Sequence, residues 1–580
     1  MLSVQSDPFR TERTAEFSVP RADCDRSRSH AVWLGVCLLV VLAAVPRFLL
    51  AGRAVPICDD GYFYLAVAEA LDQGEFETAL WYLNVNIYPV LLVAMDGLGL
   101  AVLPAAKYWS VTLGALTVLP LFGWIRRLLD DKTAFAAAAI YAVHPAFIEI
   151  SAEPIRDSTF WFLMALSLYF SWRAAQEQRL WMFASAGLAV ALAAHTRTEG
   201  WLLGLPMMAW PAIRFGEATR AKRMRLGLGM LLACAMTPAL LLSYNLTILH
   251  NYPHWELGKL EHFRMVLEWI GPEQASGPAT PPAAASVVPE PIPTSASPRI
   301  ETPAAAATIP LAAPPNPSGG QASEQPPGWF SVAYEYVDSL VQTLKPVPLV
   351  LMLIGAIAGR RLLLRRENLI LSAMLVAICL GVWIRLTTLG EINGRYFLAC
   401  FFPAAGSCGL GLIAVIGAME RFTQRFMRVS AAKWAAVGLA MVIGLLHMTD
   451  VLDDTHPSRI REARIGRALG EELGGPLEII TLPHAARVGY YANGELPSII
   501  LDDTPIEILV EERGADVAIL EQEFTRERNC SDLALQLLCR GWRQHDITHI
   551  PDSEHFLVFV KTPKTGRTAS SLRHASGKNR

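Results

Sequence analysis

The chain has 580 residues, of which 52% are hydrophobic and 18% are charged, and its mean hydropathy is +0.32. This composition excludes an ordinary soluble protein, and the length is sufficient for many membrane spans. The formal charge of -3 gives no sign of the strongly basic balance that a nucleic-acid partner would favour. The sequence therefore predicts an integral membrane protein.

The first apolar run follows a polar N-terminus. Residues 1–30 are polar and contain several arginines, and residues 31–51 are apolar. That run is too long for the hydrophobic region of a signal peptide and lacks a convincing cleavage site of small residues. It is predicted to be a retained first span, with residues 1–30 as a cytoplasmic tail.

Eleven apolar stretches are candidates for membrane spans, each of which needs roughly 20 residues. They are 31–51, 108–125, 133–151, 158–175, 180–195, 199–213, 226–248, 346–359, 368–386, 396–418 and 434–450. Arg and Lys cluster in five short loops between them, and the N-terminus makes a sixth basic cluster. Because basic loops stay in the cytoplasm, all six clusters are placed on the cytoplasmic side of the membrane.

The first outer loop is predicted over residues 52–107. Within it, the run "NIYPVLLVAMDGLGLAVLP" (86–104) is long enough to raise the question of another crossing. A crossing there would put Arg126 and Arg127 outside the cell, against the rule for basic residues. The run is therefore predicted to be an interfacial or re-entrant segment.

The same loop carries two adjacent carboxylates. Asp59 and Asp60 stand as helix-start signals at the head of "DGYFYLAVAEALD" (60–72), whose apolar side chains recur at helical spacing. This pattern predicts an amphipathic helix on the membrane surface that presents its apolar stripe to lipid.

Two later segments differ from the spans in composition. Residues 272–328 are rich in Pro, Ala, Ser and Thr, which cannot build a packed core, and are predicted to be a disordered outer loop. Residues 451–563 alternate short apolar strands with helical stretches, which predicts a small periplasmic α/β domain. In that domain Cys530 and Cys539 could pair in an oxidising compartment. A basic tail, 564–580, follows.

Charged side chains from distant parts of the chain are predicted to meet on the outer face. The sidedness of the spans places there Asp59, Asp60, Glu153, Arg156, Asp157, Arg197, Glu199, Glu391 and Arg395. Carboxylates near lipid are costly and usually functional. From the residues alone, adjacent acids serve as a general base, as metal ligands or as a helix cap, and arginines bind phosphate, carboxylates or lipid head groups.

The order of these features resembles the membrane-embedded GT-C glycosyltransferases, in particular the dolichyl-phosphate-mannose protein mannosyltransferase-like branch that includes the bacterial aminoarabinose transferases of lipid A. The similar elements are the acidic pair before "YFYLAVAEAL", then "YPVLLV", "IRRLL", "EPIRDS", "RTEGWLLGLP" and "GRYFLACFFPA". The resemblance covers residues 31–450, and it implies a multi-pass α-helical GT-C-like domain of about 11 spans.

The resemblance also implies an activity and the carboxylates that take part in it. It implies transfer of one sugar from a polyprenyl-phosphate donor to an acceptor hydroxyl of a glycan, lipid or protein, with inversion at the anomeric carbon. By this resemblance Asp59 is the general base and Asp60 supports the pocket or the acceptor. Asp157, in preference to Glu153, matches a second acid of the outer loops.

A cation must meet the charge that develops on the departing lipid phosphate. Arg197 and Arg395 are the candidates for this contact and Arg156 is third, with Glu153 and Glu199 in support. No cofactor is required, because arginine can supply the charge, although some relatives use a divalent metal that these carboxylates could hold. The family often has Asp-Glu where this chain has Asp-Asp, which leaves the acceptor open.

Two other functions compete with a transferase. A transporter or flippase of a polyprenyl-linked sugar also places charged residues along a substrate path, but usually near the membrane midplane and in two related halves. Here the charges are predicted to gather on one face. The other alternative is a non-catalytic envelope assembly protein, in which the outer domain binds a partner.

Overall fold

In a computed structural model, the described residues are 26–53, 57–83, 85–216, 218–251, 329–389, 393–426, 457–474, 477–481, 485–493, 498–499, 515–521, 536–553 and 555–561. The predictions for 272–328, for the span 434–450, and for Glu391 and Cys530 lie outside these residues. So do most of the N-terminal tail and the whole of the C-terminal tail.

The larger part of the described chain is helical. The helices are α1 (Arg26–Ala51), α2 (Asp59–Asp72), α3 (Phe76–Leu83), α4 (Ile87–Gly97), α5 (Val102–Leu116), α6 (Val118–Leu128), α7 (Asp131–Val143), α8 (Pro145–Ser151), α9 (Asp157–Glu177), α10 (Leu180–Ala194), α11 (Gly204–Phe215), α12 (Arg220–Thr247), α13 (Trp329–Leu344), α14 (Pro346–Ala358), α15 (Arg360–Leu363), α16 (Arg366–Leu389) and α17 (Leu398–Phe426). Two short 3₁₀ helices, Thr198–Leu203 and Gly394–Phe397, precede α11 and α17, respectively. The fold is that of a multi-pass helical membrane protein.

Membrane-spanning helices are fewer by strict length and composition than the sequence suggested. Among the described residues, five helices are long and apolar enough to cross, and seven if each of two bent helix pairs counts as one span. Ten of the eleven predicted spans contain a helix, and the count of eleven stays a prediction because the last lies outside the described residues.

The helices differ from the predicted spans at two places. The predicted span 108–125 is a continuous helix over Val102–Leu128, because the C-terminal end of the predicted interfacial segment joins it. The remainder of that segment is α4, a helix of 11 residues that is too short to cross a bilayer. The span predicted at 346–359 is preceded by the unpredicted helix α13, which meets it at a bend of 95°.

The apolar stripe of α2 is buried in protein, which corrects the prediction that it faces lipid. Tyr62, Leu65, Val67 and Leu71 are each at most 9% exposed. They pack in two clusters with side chains of α3, α4 and α5 and of the C-terminal part of the chain. Hydropathy alone does not distinguish a lipid-facing stripe from one covered by other protein segments.

The C-terminal part forms an α/β unit, as the alternating pattern predicted. Its helices are α18 (Pro457–Leu473) and α19 (Ala486–Asn493), and its strands are β1 (Ile479–Thr481), β2 (Ser498–Ile499), β3 (Val517–Glu521), β4 (Trp542–His545) and β5 (Phe556–Lys561). The strand order is β2-β1-β3-β5-β4. Strand β1 is parallel to both of its neighbours, β2 and β3. Strand β5 is antiparallel to both of its neighbours, β3 and β4. Helix α18 packs so closely on α19 that a Cβ added to Gly470 would lie 2.1 Å from the Ala492 carbonyl oxygen.

A buried arginine of α1 holds the bend between α7 and α8. The two helices meet at 57°, and Pro145 has no N–H to donate to the preceding helical turn. The Arg47 guanidinium is fully buried and donates to the carbonyls of Ala43 and Ala142 and to the hydroxyl of Ser151, at 2.7, 3.0 and 3.3 Å. Arg47 thereby provides a donor to the Ala142 carbonyl at the end of α7, where the helical hydrogen bonding is interrupted.

We expect Arg47→Leu to destabilise the helix bundle, because a buried polar group left unsatisfied costs about 1–3 kcal/mol. The unfolding temperature of the purified protein in detergent should fall, and it should fall less for Arg47→Lys, which keeps one donor group. An unchanged unfolding temperature in Arg47→Leu would contradict the role assigned to this residue.

Candidate active site

Charged side chains from four separate segments meet beside the N-terminus of α2. An ion pair joins Asp60, in the first turn of that helix, to Arg395, in the 3₁₀ turn before α17. The two residues are 335 positions apart in the sequence. The remaining charges come from the start of α9 and from the segment between α10 and α11.

These side chains form a continuous row of alternating charge. Arg395 Nη1 lies 4.0 Å from Asp157 Oδ2, and Asp157 Oδ1 accepts a hydrogen bond from Arg197. Arg197 Nη2 in turn lies 2.7 Å from Glu199 Oε1. The row thus contains three carboxylates and two guanidinium groups, and each cation lies between two anions. The predicted meeting of these residues is present, whereas their roles in chemistry stay predictions.

The buried end of the row, formed by Asp157 and Arg197, is closed to a substrate. Asp157 is 1% exposed and Arg197 is 4% exposed. The Arg197 guanidinium lies 4.9 Å from the centre of the Tyr396 ring, so an aromatic face covers it as well. Its donors are directed to Asp157 and Glu199, which leaves it poorly placed for the predicted contact with a donor phosphate.

Glu199 is held in its charged form. Burial alone would raise the pKa of its carboxyl, but the neighbouring Arg197 guanidinium outweighs burial and lowers that pKa to about 2. Glu199 is therefore an anion that fixes Arg197 in place, and it is unsuited to accept a proton at neutral pH.

The other end of the row, formed by Asp60 and Arg395, lines a cavity of about 480 Å³. Polar and charged side chains of five different segments line it, namely Asp60, Glu149, Glu153, Gln342, Thr343, Lys345, Asn393, Arg395 and Arg459. A molecule in this cavity can therefore touch Asp60 and Arg395, while Asp157 and Arg197 are absent from the lining residues that the structure describes.

The other predicted site residues lie close to this cavity. Asp59 is the first residue of α2, directly before Asp60, and its side chain lies outside the described part of the chain. The Arg156 guanidinium lies 5.4 Å from the centre of the Tyr64 ring, and its buried Nε has no hydrogen-bond partner among the described residues. Glu153 pairs with Arg459 and accepts a hydrogen bond from the backbone N–H of Cys58 at 3.1 Å.

Lys345 is a site residue that the sequence reasoning missed. It lines the cavity at the 95° bend between α13 and α14, and in the described residues it makes no ion pair with a carboxylate. Its backbone φ angle of 61° is unusual for a residue other than glycine, and backbone strain of this kind concentrates at functional sites. The local signal was a lysine before proline at the start of an apolar helix.

Metal ligation was left open by the sequence. Within the described ranges, which exclude the Asp59 side chain, no group of three His, Cys, Asp or Glu side chains could hold a metal ion. The divalent metal stays a prediction, and the chemistry below is derived from the protein side chains.

A second cavity, of about 560 Å³, is lined by residues 357–362 at the start of α15. It contains Arg360 and Arg361 but no carboxylate among its described lining residues. It therefore offers cations without an acid to accept a proton, and it lies in a loop predicted to be cytoplasmic.

Comparisons with known proteins give one partial match to a family model and several similarities of fold. Residues 102–242 match the family model described as dolichyl-phosphate-mannose-protein mannosyltransferase. The structure is similar to that of ArnT from Cupriavidus metallidurans bound to undecaprenyl phosphate, with 12% identity and a TM-score of 0.53, over 92% of this chain and 99% of that chain. The apo state of the same protein matches with 12% identity and a TM-score of 0.52, over 93% and 100% of the two chains.

The archaeal oligosaccharyltransferase AglB from Archaeoglobus fulgidus is also similar, with 10% identity and a TM-score of 0.45, over 92% of this chain and 75% of that chain. No curated protein matches the chain in sequence. At 12% identity, the two similarities to ArnT establish the fold alone.

Proposed function

The chain has the fold of the GT-C membrane glycosyltransferases, and on that premise we propose that it transfers one sugar from a polyprenyl-phosphate donor to an acceptor hydroxyl. The observation that carries the proposal is the Asp60–Arg395 ion pair in the wall of the 480 Å³ cavity. It holds a cation at the cavity wall beside the acidic pair, Asp59 and Asp60, that begins α2. The reaction needs both a cation and a carboxylate, because the acceptor loses a proton while the leaving phosphate gains charge.

In the proposed reaction the acceptor oxygen attacks the anomeric carbon from the face opposite the phosphate, so the configuration inverts. The bond between the anomeric carbon and the phosphate oxygen breaks, and its electron pair stays with the phosphate, which leaves as the polyprenyl phosphate dianion. Asp59 takes the proton of the acceptor hydroxyl. Its neighbour Asp60 holds Arg395 at the cavity wall.

The phosphate is assigned to cations at the cavity side of the row. Arg395 has one face toward Asp60 and lines the cavity, and Lys345 lines it without a carboxylate partner in the described residues. Arg156, whose Nε is buried without a hydrogen-bond partner there, is the third candidate. Arg197 changes from a phosphate ligand to a positioning residue, because it holds Asp157 against Arg395.

The proposal includes a location for the reaction. We propose that the cavity lies on the outer, periplasmic side of a bacterial inner membrane, with the N-terminus in the cytoplasm. A lipid-borne donor would enter from the bilayer, and the acceptor would be a hydroxyl of a glycan, a lipid or a protein. The transferred sugar is a hexose or a pentose.

A transfer assay tests this proposal. The purified protein would be incubated with a panel of polyprenyl-phosphate-linked hexoses and pentoses and with an envelope extract, and mass spectrometry would follow the acceptors and the free polyprenyl phosphate. We expect a sugar-bearing acceptor and an equal amount of free polyprenyl phosphate. In sealed vesicles, movement of intact donor across the bilayer without transfer would instead support a flippase.

Two substitutions of Lys345 distinguish the effect of its charge on donor binding from the effect of its strained backbone on stability. Lys345→Gln and Lys345→Gly both remove the cation, so both should weaken binding of polyprenyl phosphate by about 10- to 100-fold, as expected for a lost hydrogen bond to a charged group. Only Lys345→Gly should also relieve the strained backbone, which costs on the order of 1–3 kcal/mol, and it should therefore unfold at a higher temperature than Lys345→Gln.

Lys222→Gln, an exposed lysine at the start of α12, is the matched control and should bind polyprenyl phosphate like the unmodified protein. Wild-type affinity in both Lys345 variants would remove Lys345 from the donor site.

A further inference from the structure

The C-terminal α/β unit contacts the backbone directly before the acidic pair of α2. Arg487 of α19 is 3% exposed, and its Nε donates a hydrogen bond to the carbonyl oxygen of Ile57 at 3.1 Å. The same guanidinium pairs with Glu462 of α18, which fixes its orientation. Ile57 is two residues before Asp59, so a side chain of the C-terminal unit restrains the backbone directly before α2.

A second contact reaches the next residue of the chain through a carboxylate. Arg459 of α18 pairs with Glu153, and the other oxygen of Glu153 accepts the backbone N–H of Cys58 at 3.1 Å. Cys58 is the N-cap of α2 and provides no side-chain cap to the helix. The backbone at the head of α2 is thus held from outside rather than by a local cap.

Apolar packing supports these polar contacts. Tyr490 of α19 lies against Tyr62 of α2, with ring centres 5.1 Å apart. At the preceding residue of α2, a Cβ added to Gly61 would lie 2.9 Å from the ring of Pro154. The first turn of α2 is therefore enclosed between the C-terminal unit and the turn before α9.

We propose that Arg459, Glu153 and Arg487, together named the arginine clamp, position the acidic pair of α2 for sugar transfer. The inference rests on the proposed function above and adds to it that the C-terminal unit completes the transferase site. Because the clamp bonds Ile57 and Cys58, any movement of it shifts Asp59 and Asp60 relative to Arg395. Misplacement of reacting groups by about 1 Å can lower a rate by about 100-fold.

The clamp residues act through the backbone of α2, so they are positioning residues rather than catalytic ones. Loss of Arg487, which is not among the described residues that line the cavity, should lower kcat and leave the KM for the donor nearly unchanged, because Arg395 and Lys345 remain there. We expect kcat to fall about 10- to 100-fold in Arg487→Ala. Arg487→Lys should recover part of it, since an ammonium group can still donate to the Ile57 carbonyl but cannot also hold Glu462.

Hydrogen–deuterium exchange measured by mass spectrometry tests the clamp without any activity. In the full-length protein, Arg487→Ala and Arg459→Gln should raise exchange in peptides from the first turns of α2, with little change in α5 or α17. Arg543→Ala, an exposed arginine of β4, is the control from the same unit and should leave α2 unchanged. If Arg487→Ala does not fold, Arg459→Gln and Arg487→Lys carry the same test.

Failures of the two proposals give different results. Faster exchange in α2 with no sugar transfer by any form of the protein would support the clamp and contradict the transferase. Normal exchange in α2 and normal kcat in both Arg487→Ala and Arg459→Gln would overturn the clamp and leave the transferase intact. An equal rise in exchange across the whole helix bundle would also overturn it, because that pattern indicates general destabilisation.

Discussion

Asp59→Asn is expected to abolish sugar transfer while the protein still binds polyprenyl phosphate. The amide keeps the size of the carboxylate but cannot accept the proton of the acceptor hydroxyl, and general base catalysis contributes about 100- to 10,000-fold in rate. The donor contacts are assigned to Arg395, Lys345 and Arg156, which the substitution does not touch. Transfer would be measured by mass spectrometry of the acceptor, and binding by the thermal shift that polyprenyl phosphate produces.

The same substitution at two other positions of α2 makes the test specific. Asp72→Asn, at the exposed C-terminal end of the helix, should keep full activity. Asp60→Asn should weaken both donor binding and transfer, because it breaks the ion pair with Arg395. If Asp59→Asn transfers sugar at the normal rate while Asp60→Asn is inactive, the base is Asp60 and the assignment to Asp59 is wrong.

Arg395→Leu is expected to have the second-largest effect. It removes the cation that lies between Asp60 and Asp157, so neither carboxylate is neutralised by Arg395 and the departing phosphate meets more negative charge. Loss of one group that stabilises transition-state charge lowers kcat by about 100- to 1,000-fold. Arg395→Lys should be less damaging, but a single ammonium group cannot reach both carboxylates as the guanidinium does.

Arg421→Leu is the matched control, since Arg421 lies at the exposed far end of the same helical span. A double variant gives a further check. Because one ion pair joins Asp60 to Arg395, the losses in Asp60→Asn and Arg395→Leu should not add in the double variant. Additive losses, or normal donor affinity in Arg395→Leu, would show that Arg395 does not act at this site.

Sequence patterns predicted the parts of the structure that depend on local chemistry. Long apolar runs predicted the helices of the membrane domain, and alternation of short apolar segments predicted the C-terminal sheet. The rule for basic loops also placed Asp60, Asp157, Arg197 and Arg395 on one face, where the structure joins them by ion pairs. Sidedness requires only charge counts and span parity, which are properties of the sequence.

The depth of each side chain in the site was not predictable in the same way. Arg197 and Arg395 both read as phosphate ligands in the sequence, but the structure buries Arg197 between two carboxylates and leaves Arg395 at the cavity. The α2 stripe was assigned to lipid for a similar reason. Periodicity identifies an apolar face, whereas the element that covers it is set by contacts far apart in the sequence.

The arginine clamp and Lys345 had no sequence signal strong enough to find them. Arg487 and Ile57 are separated by 430 positions, and Arg459 and Glu153 by 306. Surface arginines on an α/β unit ordinarily face solvent, so only the packing of that unit against α2 gives them a role. The strained backbone at Lys345 depends on the bend between α13 and α14, which hydropathy did not indicate.

An experimental structure of the protein with polyprenyl phosphate bound is the most direct test of the proposed site. We predict that the phosphate lies in the 480 Å³ cavity within hydrogen-bond distance of Arg395 or Lys345, and beside Asp60 at the head of α2. A phosphate bound instead at the cavity formed by Arg360 and Arg361, with the Asp60–Arg395 cavity empty, would contradict it.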